Sequence, residues 1–122
     1  MILADTNVWI DHFRKPEAAL DALLADKQVV IHPYVLGEIA LGSIGQRAII
    51  LAELGRLLEV LPATHDEVLR LIEARHLFGR GIGYIDAHVL ASISLAPDVL
   101  LWTRDRRLRA AARDLGLAAD LA

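Results

Sequence analysis

Met1-Ile2-Leu3-Ala4-Asp5-Thr6-Asn7 opens the chain with four apolar residues and then an acid, a hydroxyl and an amide. A continuous apolar run stopped so abruptly reads as a short buried strand. Val99-Leu100-Leu101-Trp102 repeats the pattern near the other end, with Thr103-Arg104-Asp105 behind it. A third strand is expected over Gln28 to Ile31. Between the strands the apolar spacing turns helical: Val8 to Phe13; a second helix with Pro16 at its first turn and Ala19, Leu20, Leu23 and Leu24 on one side; and Tyr34 to Leu41, ended by Gly42. Gln46 to Leu58 continues this pattern through Ile49, Ile50, Leu54, Leu57 and Leu58. Thr64 and Glu67 have capping-box spacing, so a helix is expected to begin at Thr64. Gly79, Gly81 and Gly83 break the chain before a helix over Ile85 to Leu95. Asp105 to Leu115 closes as a helix with Gly116 in the cap position. Strands alternating with helices imply a three-layer α/β/α sandwich around a central, mostly parallel sheet. In such sheets ligands bind at the carboxyl ends of strands, where both Asp5 and Asp105 are placed.

The 122 residues are read as a single domain, residues 1–122, able to bury about two thirds of the unfolded surface. With 55% hydrophobic residues the chain is too apolar to be disordered. Its start lacks a basic region ahead of an apolar core, so no signal peptide is expected, and no apolar run approaches membrane-spanning length. No membrane partner is expected, and the cytoplasm is the default compartment. The absence of cysteine leaves oxygen and imidazole as the only metal ligands. A formal net charge of -3 argues against coating nucleic acid by bulk charge. Local basic patches remain open to it, because Arg104, Arg106, Arg107, Arg109 and Arg113 crowd one segment and Arg70, Arg75 and Arg80 another.

Two further acids raise the question of a site. Glu38 shares a helix with Tyr34, Val35 and Leu41 one turn away, and Asp86 shares a face with Val89, Leu90 and Ile93, so both are expected on apolar stripes. An ionised carboxylate there is costly unless it is paired or holds a metal. Each acid alone has a plainer reading. Asp5 and Asp105 sit where helix caps belong, Asp105 also within reach of Arg109, and Glu38 or Asp86 could pair with an arginine. Together the four form the hard oxygen set that Mg²⁺ or Mn²⁺ prefers, and such a cluster stays ionised only beside a cation. The histidines carry less: a lone His is more often a surface or capping residue than a ligand, and only His32, at a strand end, is a weak candidate.

Asp5-Thr6-Asn7 after a first strand, Tyr34-Val35-Leu36-Gly37-Glu38, Tyr84-Ile85-Asp86-Ala87-His88, and Thr103-Arg104-Asp105 after a late strand together resemble the PIN-domain nucleases, and more narrowly the VapC toxins of bacterial toxin-antitoxin pairs. The resemblance runs from end to end. It implies a PIN-like fold and a Mg²⁺- or Mn²⁺-dependent endoribonuclease, usually homodimeric, that cleaves RNA and is held inactive by a VapB-like antitoxin. Asp5, Glu38 and Asp86 match the family acids that bind metal and position the attacking water, and Asp105 matches a fourth, more variable acid. Thr6 and Asn7 match the polar pair after the first acid, and Thr103 the hydroxyl supporting the cleft. The chain departs from many relatives in carrying Arg107-Leu108 where a further acid and Phe are found. That favours one metal over two.

Arg80, Arg104, Arg106 and Arg107 are candidates for holding an RNA backbone, against an equally plain reading as a solvated face. Ile49, Ile50, Leu54 and Leu57 are candidates for a dimer or antitoxin contact, against ordinary core. Two other readings compete. A phosphoaspartate phosphatase wants a second Asp where Asn7 stands, and a non-catalytic binding module of the same fold would not need intact acids.

Overall fold

A computed structural model describes all 122 residues. Three short strands follow the apolar runs: β1 (Ile2–Ala4), β2 (Val29–Ile31) and, last in the chain, β4 (Leu100–Trp102). A fourth, β3 (Leu58–Glu59), lies where the apolar spacing points to the end of a helix. The helices are α1 (Thr6–Arg14), α2 (Ala18–Ala25), α3 (Pro33–Leu41), α4 (Arg47–Leu54), α5 (His65–Ala74), α6 (Tyr84–Ser94) and α7 (Arg106–Asp114). All strand pairs are parallel, in the order β3-β2-β1-β4. Every strand therefore ends at the same rim, and the helices complete a three-layer α/β/α sandwich. Beyond β4, Ala118 pairs with Leu101 in a single parallel bridge that covers that edge.

Local chemistry sets the helix ends. Thr64 Oγ1 accepts the Glu67 N–H at 3.1 Å and Glu67 Oε1 accepts the Thr64 N–H at 2.8 Å, the expected reciprocal cap of α5. Gly116, at φ +71, closes α7 as the Leu117 N–H reaches the Ala112 carbonyl at 2.8 Å. Pro16 acts differently from expectation. It lies ahead of α2, whose cap is Glu17, and its ring favours the extended Lys15 that ends α1.

The core is aliphatic, with Leu3, Val8, Leu20, Ile31, Val35, Ile39, Leu90, Ile93, Leu101 and Leu108 fully buried across sheet and helices. β1 and β2 are covered on both faces. That accounts for their unbroken apolar sequence.

Candidate active site

Asp5 leaves β1 and caps α1: its Oδ1 accepts the Thr6 N–H at 2.8 Å. Its backbone N–H pairs with the Trp102 carbonyl at 2.8 Å, fixing it to the end of β4. Thr103 follows Trp102, and its buried hydroxyl donates to Asp5 Oδ2 at 2.7 Å. Thr103 Oγ1 itself accepts from Asn7 Nδ2 at 3.2 Å and from the Asp105 N–H at 3.2 Å. Asn7 in turn donates to Asp5 Oδ2 at 3.3 Å and accepts the Arg104 N–H at 3.1 Å. This network binds the ends of β1 and β4 into one polar unit. Asp105 caps α7, its Oδ1 accepting the Arg107 and Leu108 N–H groups at 2.9 and 3.0 Å.

Glu38 comes from the middle of α3, and Asp86 from the first turn of α6, where its Oδ2 accepts the Gly83 N–H at 3.0 Å. The four acids, with Thr6, Asn7, Ile10 and Asp11, line one open cleft of about 370 Å³ at the C-terminal rim of the sheet. No arginine pairs with Glu38 or Asp86, so the plainer ion-pair reading does not hold for them. Glu38 also differs from expectation by being exposed. Tyr34 and Leu41, which suggested an apolar stripe, are themselves 40% and 90% exposed, and the buried face of α3 is Val35 and Ile39.

The cleft concentrates carboxylates. Burial pushes the Asp5 carboxyl above its ordinary range, with the charges of Asp86 and Asp105 adding to the rise and the Thr103 and Thr6 hydrogen bonds opposing it. Glu38 is raised as well, first by the partial desolvation of its carboxyl and then by Asp5 and Asp86; only a long 3.5 Å contact from the Thr6 hydroxyl works the other way. Asp86 Oδ1 and Asp105 Oδ2 accept no hydrogen bond within the chain, and hard oxygens of this kind suit Mg²⁺ or Mn²⁺. No three of the carboxylates are drawn close enough to enclose an ion.

The arginines divide. Arg104 donates to Asp11 Oδ2 at 2.7 Å, Glu17 Oε1 at 2.6 Å and the Ala122 carbonyl at 3.0 Å, and the Glu17 and Asp11 bonds hold its pKa above the ordinary value. A guanidinium so engaged ties α1 to the chain end and is not free for a phosphate. Arg80 is bound to Asp114 at 2.7 Å, and Arg109 donates to the Leu121 carbonyl at 3.2 Å. Arg106 and Arg107 are exposed and make no ion pair. Arg107 lies across Gly81: a Cβ there would stand 2.5 Å from its Nη1 and 2.7 Å from its Cδ.

Sequence reasoning missed Asp11, which lines the cleft but is held by Arg104, and it missed a buried polar node behind the site. His32 is fully buried, and its Nδ1 caps α3 by accepting the Tyr34 N–H at 3.0 Å. That makes Nε2 the protonated nitrogen, donating to Ser92 Oγ at 2.9 Å. Ser92 Oγ also accepts the Ala63 N–H at 2.9 Å and donates to the His88 carbonyl at 2.8 Å. His32 is thus a structural cap and not a ligand.

A family model described as PIN domain matches residues 2–114. Ribonuclease VapC32 of Mycobacterium tuberculosis strain CDC 1551 / Oshkosh is 50% identical over 118 residues, which is 97% of this chain and 95% of the relative. The protein of the same name from strain ATCC 25618 / H37Rv matches over the same extent at the same identity. No solved structure gives a significant match.

Proposed function

The chain belongs to the PIN-domain family, and from that membership we propose that it is a divalent-metal-dependent endoribonuclease, the toxin of a toxin-antitoxin pair. The observation that carries this reading is the placement of Asp5, Glu38, Asp86 and Asp105 around one cleft at the ends of parallel strands. The identity to proteins named as ribonucleases supports RNA as the substrate.

Held among these acids, Mg²⁺ or Mn²⁺ would supply Lewis-acid stabilisation of the phosphodiester and would ease deprotonation of the attacking water near neutral pH. Asp5, Asp86 and Asp105 are the ligands proposed for one ion, with Glu38 joining directly or through water. Thr103, Asn7 and the Thr6 amide hold Asp5 with both oxygens oriented, so the geometry is set before substrate arrives. In-line attack leaves a 5′-phosphate and a 3′-hydroxyl. Arg106 and Arg107 are the free cations able to meet the RNA backbone.

No helix is long and apolar enough to cross a membrane. A groove of about 270 Å³ between α1, α2 and α4, lined by Trp9, Phe13, Leu24, Ile50, Leu54 and Leu57, is the proposed seat of an apolar antitoxin helix. A homodimer is proposed from the family alone.

Total RNA incubated with the purified chain tests the reading. Cleavage is expected with Mn²⁺, stops in EDTA, and is absent in Asp5→Asn and Asp86→Asn, whose calorimetric Mn²⁺ titrations flatten. Full cleavage by Asp5→Asn overturns the scheme. Mn²⁺ binding with no cleavage of any RNA makes the chain a binding module.

A further inference from the structure

Two tyrosines open the helices that carry Glu38 and Asp86 and take no part in the proposed ion site. Tyr34 lies one turn before Glu38 on α3, and Tyr84 opens α6 two residues before Asp86. Both rings are open to solvent, 40% and 43% exposed, and both rest on the buried His88 imidazole. The ring centres are 4.4 Å apart for Tyr34 and 5.8 Å, edge-on, for Tyr84. His32 backs Tyr34 edge-on at 5.2 Å and meets His88 at 5.3 Å. On the other flank, His65 from α5 holds the Tyr84 hydroxyl at 2.8 Å.

Five rings in mutual contact thus form a backed surface that limits how far the two tyrosines can turn. A single half-exposed tyrosine is ordinary. Two such rings, stiffened from behind and rising from the same rim as the acids on two different helices, make a preorganised aromatic face.

Topology sets what else lies along the same rim. Taken across the sheet from β2 through β1 to β4, the rim carries Tyr34 and Glu38, then Asp5, then Asp105 with the unpaired Arg106 and Arg107. Arg107, lying across Gly81 just ahead of α6, brings a cation to the same rim as the rings, so an RNA strand crossing the acids meets both. We propose that Tyr34 and Tyr84 are a stacking shelf for an unpaired base next to the bond that is cleaved. Paired bases keep their faces inside the helix, so the shelf selects single-stranded loops or ends. The proposal rests on the ribonuclease reading and adds to it the residues that hold the base.

The probe is a short RNA copied from a cleavage site mapped by sequencing the 5′ ends that the wild type generates. On it, the Tyr34→Leu/Tyr84→Leu double variant is expected to show KM raised about tenfold or more, the loss typical of stacking on one or more rings. Mn²⁺ affinity stays as in the wild type, circular dichroism shows the variant folded at the assay temperature, and the Phe variants keep wild-type KM. Annealing a complementary strand blocks cleavage. An abasic residue beside the scissile bond raises KM for the wild type and adds nothing in the double variant. Unchanged KM in a folded double variant overturns the shelf while leaving the nuclease intact. Light scattering that finds the double variant monomeric where the wild type is dimeric assigns the face to a second copy and also overturns it. If no RNA is cut and no site can be mapped, the ribonuclease reading fails, and the shelf falls with it.

Discussion

Thr103 supports two of the four acids with one hydroxyl, donating to Asp5 and accepting from the Asp105 N–H. Thr103→Val keeps the shape and removes the hydrogen bonds, so denaturant unfolding is expected to show a loss of about 1–3 kcal/mol. Cleavage should fall about tenfold or more as Asp5 loses its orientation. Thr103→Ser should restore both, and a fully active Val variant would show that the hydroxyl is dispensable. His32 sets a pH dependence of its own. Burial, with the neighbouring His88, lowers its pKa from 6.5 to about 4, so between those values the unfolded chain binds more protons. Stability is therefore full above pH 6.5 and declines as the pH drops toward 4, by roughly 3 kcal/mol at most. Asp5 and Glu38 are raised and work in the opposite direction in the metal-free chain, so the comparison is between wild type and His32→Asn, which retains a capping oxygen. Urea unfolding at pH 7 and pH 4 should show the larger loss in wild type; equal losses would remove His32 as the cause. At this scale the sequence discloses which residues matter better than how they face the solvent. Asp5 and Asp105 are readable because strand and cap signals flank them. Glu38 is misread because apolar neighbours stand in for burial, and Arg104 because its partners Asp11 and Glu17 are 93 and 87 residues away along the chain.

Helix starts do much of the positioning. Asp5 and Asp105 are caps, and Asp86 is bound to the amide that opens α6, so each acid takes its direction from the first turn it secures. The loop ahead of α6 adds Gly81, whose φ of +77 suits glycine and whose bare Cα leaves room for Arg107. Gly81→Ala is expected to destabilise by about 1–2 kcal/mol through the left-handed backbone alone. It should also displace Arg107 and reduce cleavage. In an Arg107→Ala background that second cost should vanish, measured as kcat/KM on the mapped RNA; a cost that persists would locate the effect in the loop itself. The elements were legible wherever period and caps agreed, as at Thr64 with Glu67. They were not legible at β3. Apolar spacing runs on from α4 through Leu57 and Leu58, but Gly55 ends the helix and pairing with Val30 and Ile31 draws Leu58 and Glu59 into the sheet. A two-residue strand is held by its neighbour and not by its own propensity.

For the whole molecule, alternating strands and helices announce a parallel sheet, but the order β3-β2-β1-β4 depends on pairings between distant segments that no local pattern encodes. That order sets β1 between β2 and β4, and so places Asp5 between Glu38 and Asp105. The arrangement concentrates negative charge in one cleft of a chain that is already at net -3. Without a cation the folded state bears this repulsion, whereas the unfolded chain spreads it out. Glu38→Gln relieves the push from Asp5 and Asp86 without disturbing a cap. In EDTA, calorimetry is expected to show its thermal midpoint about 2–4 °C above wild type, a modest gain because Glu38 is exposed. Mn²⁺ should reverse the ranking. An ion that binds only the folded state stabilises by about 2.7 kcal/mol at a hundred times its Kd, and the variant, with weaker binding, gains less at the same concentration. Wild type overtaking Glu38→Gln as Mn²⁺ is added is the signature of a cleft that gives up stability for its ion. A variant midpoint below wild type in EDTA, or a wild-type midpoint that ignores Mn²⁺, would show that the four acids are not working as one site.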